Sequence, residues 1–181
     1  MSATLDINLI HKYYGQSCVL EVAGRTYPIE DVFNPTDDEE YVNQAILKAC
    51  KIHQSNEPGD ILVFLTGPDE IDEAIVEVQR QLNDSAIVLP LHAKLHPNET
   101  KRIFERTPAN KRKIIFSTNV AETSVTIDGV RHVIESGMVK EMMWDEKLKM
   151  QALKIGRITQ SSAIQRRGRA GRTSPGKVNL F

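Results

Sequence analysis

Pro58-Gly59-Asp60-Ile61-Leu62-Val63-Phe64-Leu65-Thr66-Gly67-Pro68 decides the fold of this 181-residue chain. Pro58-Gly59 is turn chemistry, Ile61 to Leu65 is an unbroken apolar run of strand length, and Gly67-Pro68 stops it. A strand that is apolar at every position is covered on both faces, as in a parallel sheet. Residues 69–82 then read as a helix with Ile71, Ala74, Ile75 and Val78 on one face. The cycle recurs, with strands at 86–91, 113–117 and 130–135 and a helix at 97–106. Such alternation predicts an α/β domain with a mainly parallel sheet and helices on both faces. Upstream, residues 5–14 read as a short helix before Gly15, and residues 18–22 and 27–33 as β-rich. Residues 37–55 read as a helix with Asp37 as N-cap and Val42, Ala45, Ile46 and Ala49 as its buried stripe. Residues 137–144 and 150–158 break the alternation and predict a β-hairpin standing off the sheet. Its Met138, Met142, Met143 and Met150 read as a packed hairpin face.

Composition is that of a globular domain: 40% hydrophobic, 26% charged, 10 Gly and 8 Pro. It excludes collagen-like, low-complexity and wholly disordered classes. No apolar run approaches the roughly 20 residues of a membrane span. Residues 1–6 have neither the basic nor the apolar region of a secretory signal. Two cysteines, Cys18 and Cys50, build no disulfide framework and read as reduced intracellular thiols. The net charge of −1 hides a segregated distribution. Acids crowd residues 30–40, while Arg157, Arg166, Arg167, Arg169, Arg172 and Lys177 stand together without an acid, a pattern compatible with a polyanion site.

The segment richest in chemistry is Gln165-Arg166-Arg167-Gly168-Arg169-Ala170-Gly171-Arg172. On a helix beginning near Ser161 or Ser162, Gln165, Arg169 and Arg172 fall at i, i+4 and i+7 and share a face. Two guanidinium groups there suit phosphate oxygens. Gly168 and Gly171 each cost a helix about 1 kcal/mol relative to Ala, so close approach of another backbone or a ligand must require them. Residues 117–129 follow a strand directly, where ligands of parallel sheets bind, and are rich in hydroxyl, amide and carboxylate groups. Helix capping and turn chemistry explain those residue types equally well. Gly171 to Lys177 has Val178 where a Walker A motif needs Ser or Thr, and His92-x-x-x-His96 lacks a third metal ligand. Asp69, Glu70, Asp72 and Glu73 read as an exposed helix start.

Taken in order, these segments resemble the DEAH-box RNA helicases, in the second of their two RecA-like domains. Ser2-Ala3-Thr4 is similar to motif III, Gly24-Arg25-Thr26-Tyr27-Pro28 to the interdomain segment, and Leu62–Gly67 to motif IV. Residues 117–129 are similar to motif V and residues 165–172 to motif VI. The resemblance implies a three-layer RecA-like fold over residues 16–181, with residues 1–15 closing the first RecA-like domain and Ser2 and Thr4 coupling the two. It implies that Arg169 and Arg172 are arginine fingers and that Gln165 positions the attacking water. Phe104 stacks on the base, and Thr126 and Asp128 touch phosphate and ribose. Thr66, Gly67, Thr118, Asn119 and Lys140 contact the RNA backbone. The implied cofactor is ATP or another NTP with Mg²⁺, the Mg²⁺ held mainly by the first RecA-like domain.

The implied activity is ATP-dependent 3′-to-5′ RNA unwinding, with single-stranded RNA, the first RecA-like domain, C-terminal accessory domains and protein cofactors as partners, inside the cell. The sequence holds no usable Walker A motif and no Asp-Glu-Ala-His box. The expectation is therefore a fragment, inactive alone, with Met1 an internal residue. The alternative is a non-catalytic RNA- or partner-binding module that keeps the helicase fold. Retention of Gln165, Arg169 and Arg172 favours the motor.

Overall fold

The computed structural model describes residues 7–15, 18, 20, 27–35, 37, 40–123 and 126–181. The first half runs α1 (Ile7–Tyr14), β1 (Ile29–Phe33), α2 (Tyr41–Gln54), β2 (Asp60–Phe64), α3 (Pro68–Leu82), β3 (Ala86–Leu91) and α4 (Pro97–Phe104). The second half runs β4 (Arg112–Ser117), α5 (Val120–Thr123), β5 (Val130–Glu135), β6 (Met138–Asp145), β7 (Met150–Arg157), α6 (Gln160–Arg167) and β8 (Gly176–Leu180). Six strands form one sheet in the order β1-β8-β5-β2-β4-β3, and every pairing is parallel. This is the α/β architecture predicted from the apolar runs.

Alternation along β2 divides the core between the two faces. Ile61, Val63 and Leu65 pack with Ile114 and Phe116 under α2 and α3, which contribute Ile46, Ala49, Ile71, Ala74 and Val78. Leu62 and Phe64 pack with Ile115, Val133 and Val178 on the other face, covered by Ile103, Ala121 and Ala170. Each large side chain so buried contributes about 1.5–3 kcal/mol, which is why a strand apolar throughout is stable only in this layered arrangement.

Helix boundaries differ from the sequence reading where hydrogen bonding overrides propensity. Helix α2 starts at Tyr41, not Asp37, whose carbonyl accepts the Glu40 N–H at 3.0 Å in a turn ahead of the helix. Glu70 is not a solvated start residue. Its carboxylate accepts from the Thr66 N–H at 2.9 Å and the Thr66 hydroxyl at 2.5 Å, and from the Tyr41 hydroxyl. Burial, with Glu70 second, pushes the Tyr41 phenol up to about 12. His96 caps α4: its Nδ1 accepts from Asn98 N–H at 3.3 Å, and Glu99 reaches back to the His96 N–H at 3.2 Å.

The hairpin of β6 and β7 is antiparallel and separate from the sheet, as expected. Its methionines do not share one packed face: Met138 packs against the core and Met143 is half-buried, while Met142 and Met150 are exposed. Lys140, Met142 and Trp144 lie opposite Ile155, Leu153 and Gln151, and these six residues are all exposed, Trp144 to 55%. Period-two alternation gave the face its residues but not a covering layer.

The segregated charges also meet in space. Arg167 Nε donates to both Asp31 oxygens at 2.7 and 3.0 Å, and Lys177 lies 3.7 Å from Glu30. Part of the basic run therefore neutralises the acidic stretch and is not offered to a polyanion.

Candidate functional site

Helix α6 ends at Arg167, so Gln165, Arg169 and Arg172 do not share a helix face as predicted. Gly168 caps the helix, its N–H bonded to Ile164 O, and two further turns carry residues 169–171 away. Gly171 is demanded by a neighbouring backbone: a Cβ there would lie 2.7 Å from Ile29 Cγ1 and 2.8 Å from Tyr27 O. The Tyr27 N–H donates to Gly171 O at 3.0 Å, and the Gly176 N–H donates to Pro28 O at 3.2 Å. The strand entering β1 thus clamps the loop that carries the arginines. Ser2 and Thr4, and Gly24 to Thr26 of the interdomain segment, lie outside the described residues.

In that loop Arg172 is exposed and donates through Nη1 to the Thr126 hydroxyl. Arg169 is buried, with Nη2 donating to the Glu122 carbonyl. Burial first, and the nearby positive charge of Arg172 second, push the Arg169 guanidinium down to about 10. Both arginines line a small hollow with Leu62, Ala121, Ile127 and Val130. Two cations held together over an apolar floor constitute a place where a multivalent anion lowers the energy.

Asp128 lies in the exposed turn before β5, followed by Gly129 at φ +91°. A Cβ on Gly129 would stand 3.1 Å from Asp60 Oδ2, and Gly129 O accepts the Asp60 N–H at 2.8 Å. Asp60 also takes the Lys113 N–H at 2.8 Å and the Thr107 hydroxyl at 2.7 Å. Phe104, 49% exposed, ends α4 beside this knot, where Lys113 Nζ donates to Ile103 O at 2.8 Å and Glu105 O at 2.6 Å. Phe104, Asp128 and the arginine loop precede β4, β5 and β8 respectively, and so lie toward the amino edge of the sheet.

Thr66, Gly67, Thr118 and Asn119 lie at the opposite, carboxyl edge, directly after β2 and β4. Thr66 is buried and its hydroxyl is committed to Glu70. Gly67 opens α3 with a Cβ position 3.8 Å from Lys140 Cδ, which brings the hairpin lysine to this edge. Asn119 lines a cleft of about 220 Å³ with Glu122, Thr123, Glu141, Thr159 and Ser162. Residues 117–129, expected to serve one carboxyl-edge site, are therefore divided: 118–119 stay at that edge, while 128–129 have crossed to the other. Strands of five or six residues separate the edges by roughly 17–20 Å.

No sequence motif marks the buried centre that lies just inside the carboxyl edge. Arg166, 1% exposed, donates through Nε to Glu122 at 3.0 Å and through Nη1 to Glu135 at 3.0 Å. The available signal was Glu135, a carboxylate closing the apolar strand β5. A buried carboxylate needs a partner. Burial raises its pKa, with Arg166 opposing.

Comparison with known proteins bears on the family and the fold. The sequence profile of the family described as helicase conserved C-terminal domain matches residues 42–174. The chain is 45% identical over 186 residues to the ATP-dependent RNA helicase DEAH12, chloroplastic, of Arabidopsis thaliana, covering 98% of this chain and 10% of that protein. It is 42% identical over 182 residues to the pre-mRNA-splicing factor ATP-dependent RNA helicase prp22 of Schizosaccharomyces pombe, covering 97% and 16%. The crystal structure of the Escherichia coli DEAH/RHA helicase HrpB superposes with a TM-score of 0.90 at 28% identity, over 100% of this chain and 23% of that one. The chain thus spans about a sixth or less of the curated relatives' length.

Proposed function

The chain belongs to the helicase conserved C-terminal domain family, in its DEAH-box RNA helicase branch, and from that premise we propose that it is the second RecA-like half of an RNA-dependent NTPase motor. Residues 16–181 form that half and residues 1–15 close the first. The observation that carries the reading is that Arg169 and Arg172 line one hollow, with Arg172 bonded to Thr126, where two guanidinium groups suit a triphosphate.

ATP with Mg²⁺ supplies the phosphoanhydride whose cleavage drives the motor, and the first RecA-like domain holds the metal. This chain's own residues do the rest. Arg169 and Arg172 neutralise charge developing on the transferred phosphoryl oxygens, and Gln165 orients the attacking water. Thr126 and Asp128 hold phosphate and ribose, and Phe104 offers its exposed ring to the base, which it accepts with little sequence preference because every base has a π-face. At the carboxyl edge, Gly67, Thr118, Asn119 and Lys140 bind the RNA backbone, fixing register without reading sequence, while the buried Thr66, held by Glu70, shapes the turn that presents Gly67 instead of contacting RNA through its hydroxyl. Opening and closing of the two halves moves the strand 3′ to 5′, inside the cell, with C-terminal accessory domains and protein cofactors choosing the RNA. The 181 residues alone turn over no ATP.

The test is RNA-stimulated phosphate release by the full-length protein beside Arg169→Ala and Arg172→Ala. Each substitution is expected to slow turnover by about 10³-fold or more at saturating RNA and ATP. Unslowed turnover in both would reject the finger assignment. Absence of RNA-stimulated release in the wild type would favour the non-catalytic binding module.

A further inference from the structure

Helix α6, eight residues and so roughly 12 Å long, starts at the carboxyl edge and points toward the amino edge. Its first turn, capped by Thr159, opens on the cleft that holds Asn119, and its last residue leads into the arginine loop. Arg166 lies inside, near the end of the helix, against Glu135 and Phe64, the last residues of β5 and β2. Besides Glu122 and Glu135, its Nη1 reaches the Met138 carbonyl at 3.3 Å, and its guanidinium carbon sits 4.8 Å from the centre of the Phe64 ring. One side chain therefore touches α5, the end of β5, the base of the hairpin and β2.

Each of these partners is one short step from a proposed site residue. The Glu122 N–H donates to Asn119 O at 3.0 Å, while the Glu122 carbonyl accepts from Arg169. Met138 stands two residues before Lys140, and the carboxylate oxygen that Arg166 binds on Glu135 also accepts the Gly137 N–H at 2.8 Å. A guanidinium is a planar fork with donors fixed in direction, so it holds three elements in one mutual arrangement. A close-packed interior yields to displacement in discrete rearrangements and not by continuous bending. Movement of the hairpin base or of residues 118–119 must then carry Glu122, and with it Arg169.

We propose that Arg166 is a positioning residue that couples strand engagement at the carboxyl edge to the placement of Arg169 at the amino edge. The inference rests on the motor reading above. Arg166 itself touches neither nucleotide nor RNA.

The experiment measures phosphate release by the full-length protein with and without saturating single-stranded RNA. Arg166→Lys keeps a positive charge between two buried carboxylates but loses the fork. It is expected to cut the RNA stimulation factor about tenfold, while unstimulated turnover, the KM for ATP and the RNA Kd stay within about twofold. Glu135→Gln, which keeps an acceptor for Nη1, is expected to move the stimulation factor the same way by less. Undiminished stimulation in both variants overturns the proposal. So does a parallel fall of unstimulated turnover, stimulated turnover and RNA affinity, which is the mark of ordinary structural damage. A wild-type protein that RNA fails to stimulate removes the motor reading and this proposal together, whereas stimulation surviving both substitutions removes this proposal alone.

Discussion

Replacing Gly171 by Ala tests the clamp between the β1 entry and the arginine loop. The added methyl would lie 2.7 Å and 2.8 Å from two Ile29 carbons and 2.8 Å from the Tyr27 carbonyl oxygen. Ordinary contact begins at 3.4 Å, so the neighbours must retreat by roughly 0.6 Å. Ile29 can rotate, but the Tyr27 carbonyl belongs to a backbone whose own N–H is bonded to Gly171 O. Overpacking of this kind costs about 1–3 kcal/mol. Loss of chain entropy in the unfolded state returns about 0.4–1 kcal/mol, leaving a net destabilisation of about 0–2.6 kcal/mol, or about 1.3 kcal/mol at the middle of both ranges. For a chain of this length that middle value is roughly 3–5 °C in Tm. Urea and thermal denaturation of Gly171→Ala beside Gly67→Ala measure it, because a Cβ at Gly67 meets only Lys140 Cδ at 3.8 Å. A Gly171→Ala midpoint equal to or above wild type would refute the close-approach argument.

Two further outcomes follow from the charges. Burial lowers the His132 imidazole from its ordinary 6.5, with the 3.2 Å contact of Nε2 to Pro58 O opposing. The unfolded chain therefore takes up that proton first, and stability falls with decreasing pH from about 6.5 to the lower folded value, by up to about 1.4 kcal/mol per pH unit. Glu135, raised by burial, titrates with the opposite sign. The readout is thus the difference between wild type and His132→Gln in urea midpoints at about pH 7.5 and 5.5, with the shallower slope expected in the variant. Lys140→Ala in the full-length protein is expected to weaken single-stranded RNA binding and to reduce the slope of log K against log salt by about 0.7. An unchanged slope would remove Lys140 from the phosphate contacts.

Strands were legible because burial on both faces writes itself as an unbroken apolar run. Residues 61–65 and 114–116 could be read without knowing their neighbours. The hairpin was legible from its charged turn, though its exposure was not, since alternation records two faces and not what covers them. The length of α6 was hidden because Gly171 answers to Ile29 and Tyr27, which are remote in sequence. The sequence shows that a glycine is needed without showing which neighbour needs it. The division of residues 117–129 between two edges was hidden for a related reason: a strand's following segment stays at the carboxyl edge only until the chain turns back. Arg166 was masked by its neighbours, because three arginines that look alike in sequence have three different environments. Arg166 is enclosed by carboxylates, Arg167 is half-exposed on Asp31, and Arg172 faces solvent beside Thr126.

The pairing of β1 with β8 has a consequence for biosynthesis. Ile29 lies opposite Gly176 and Phe33 opposite Leu180, so the earliest strand of the sheet waits for the latest before it has a hydrogen-bonded neighbour. Long-range parallel pairing closes slowly, and a growing polypeptide adds only about 5–20 residues per second. During translation the β2-β4-β3 layer with α2 and α3 can consolidate while the β1 strand, carrying Phe33 76% exposed even at the end, still lacks the one neighbour it has among the described strands. The arginine loop is sealed in that same last event, so a nascent chain acquires its folded hydrophobic layers before it acquires the loop that carries Arg169 and Arg172.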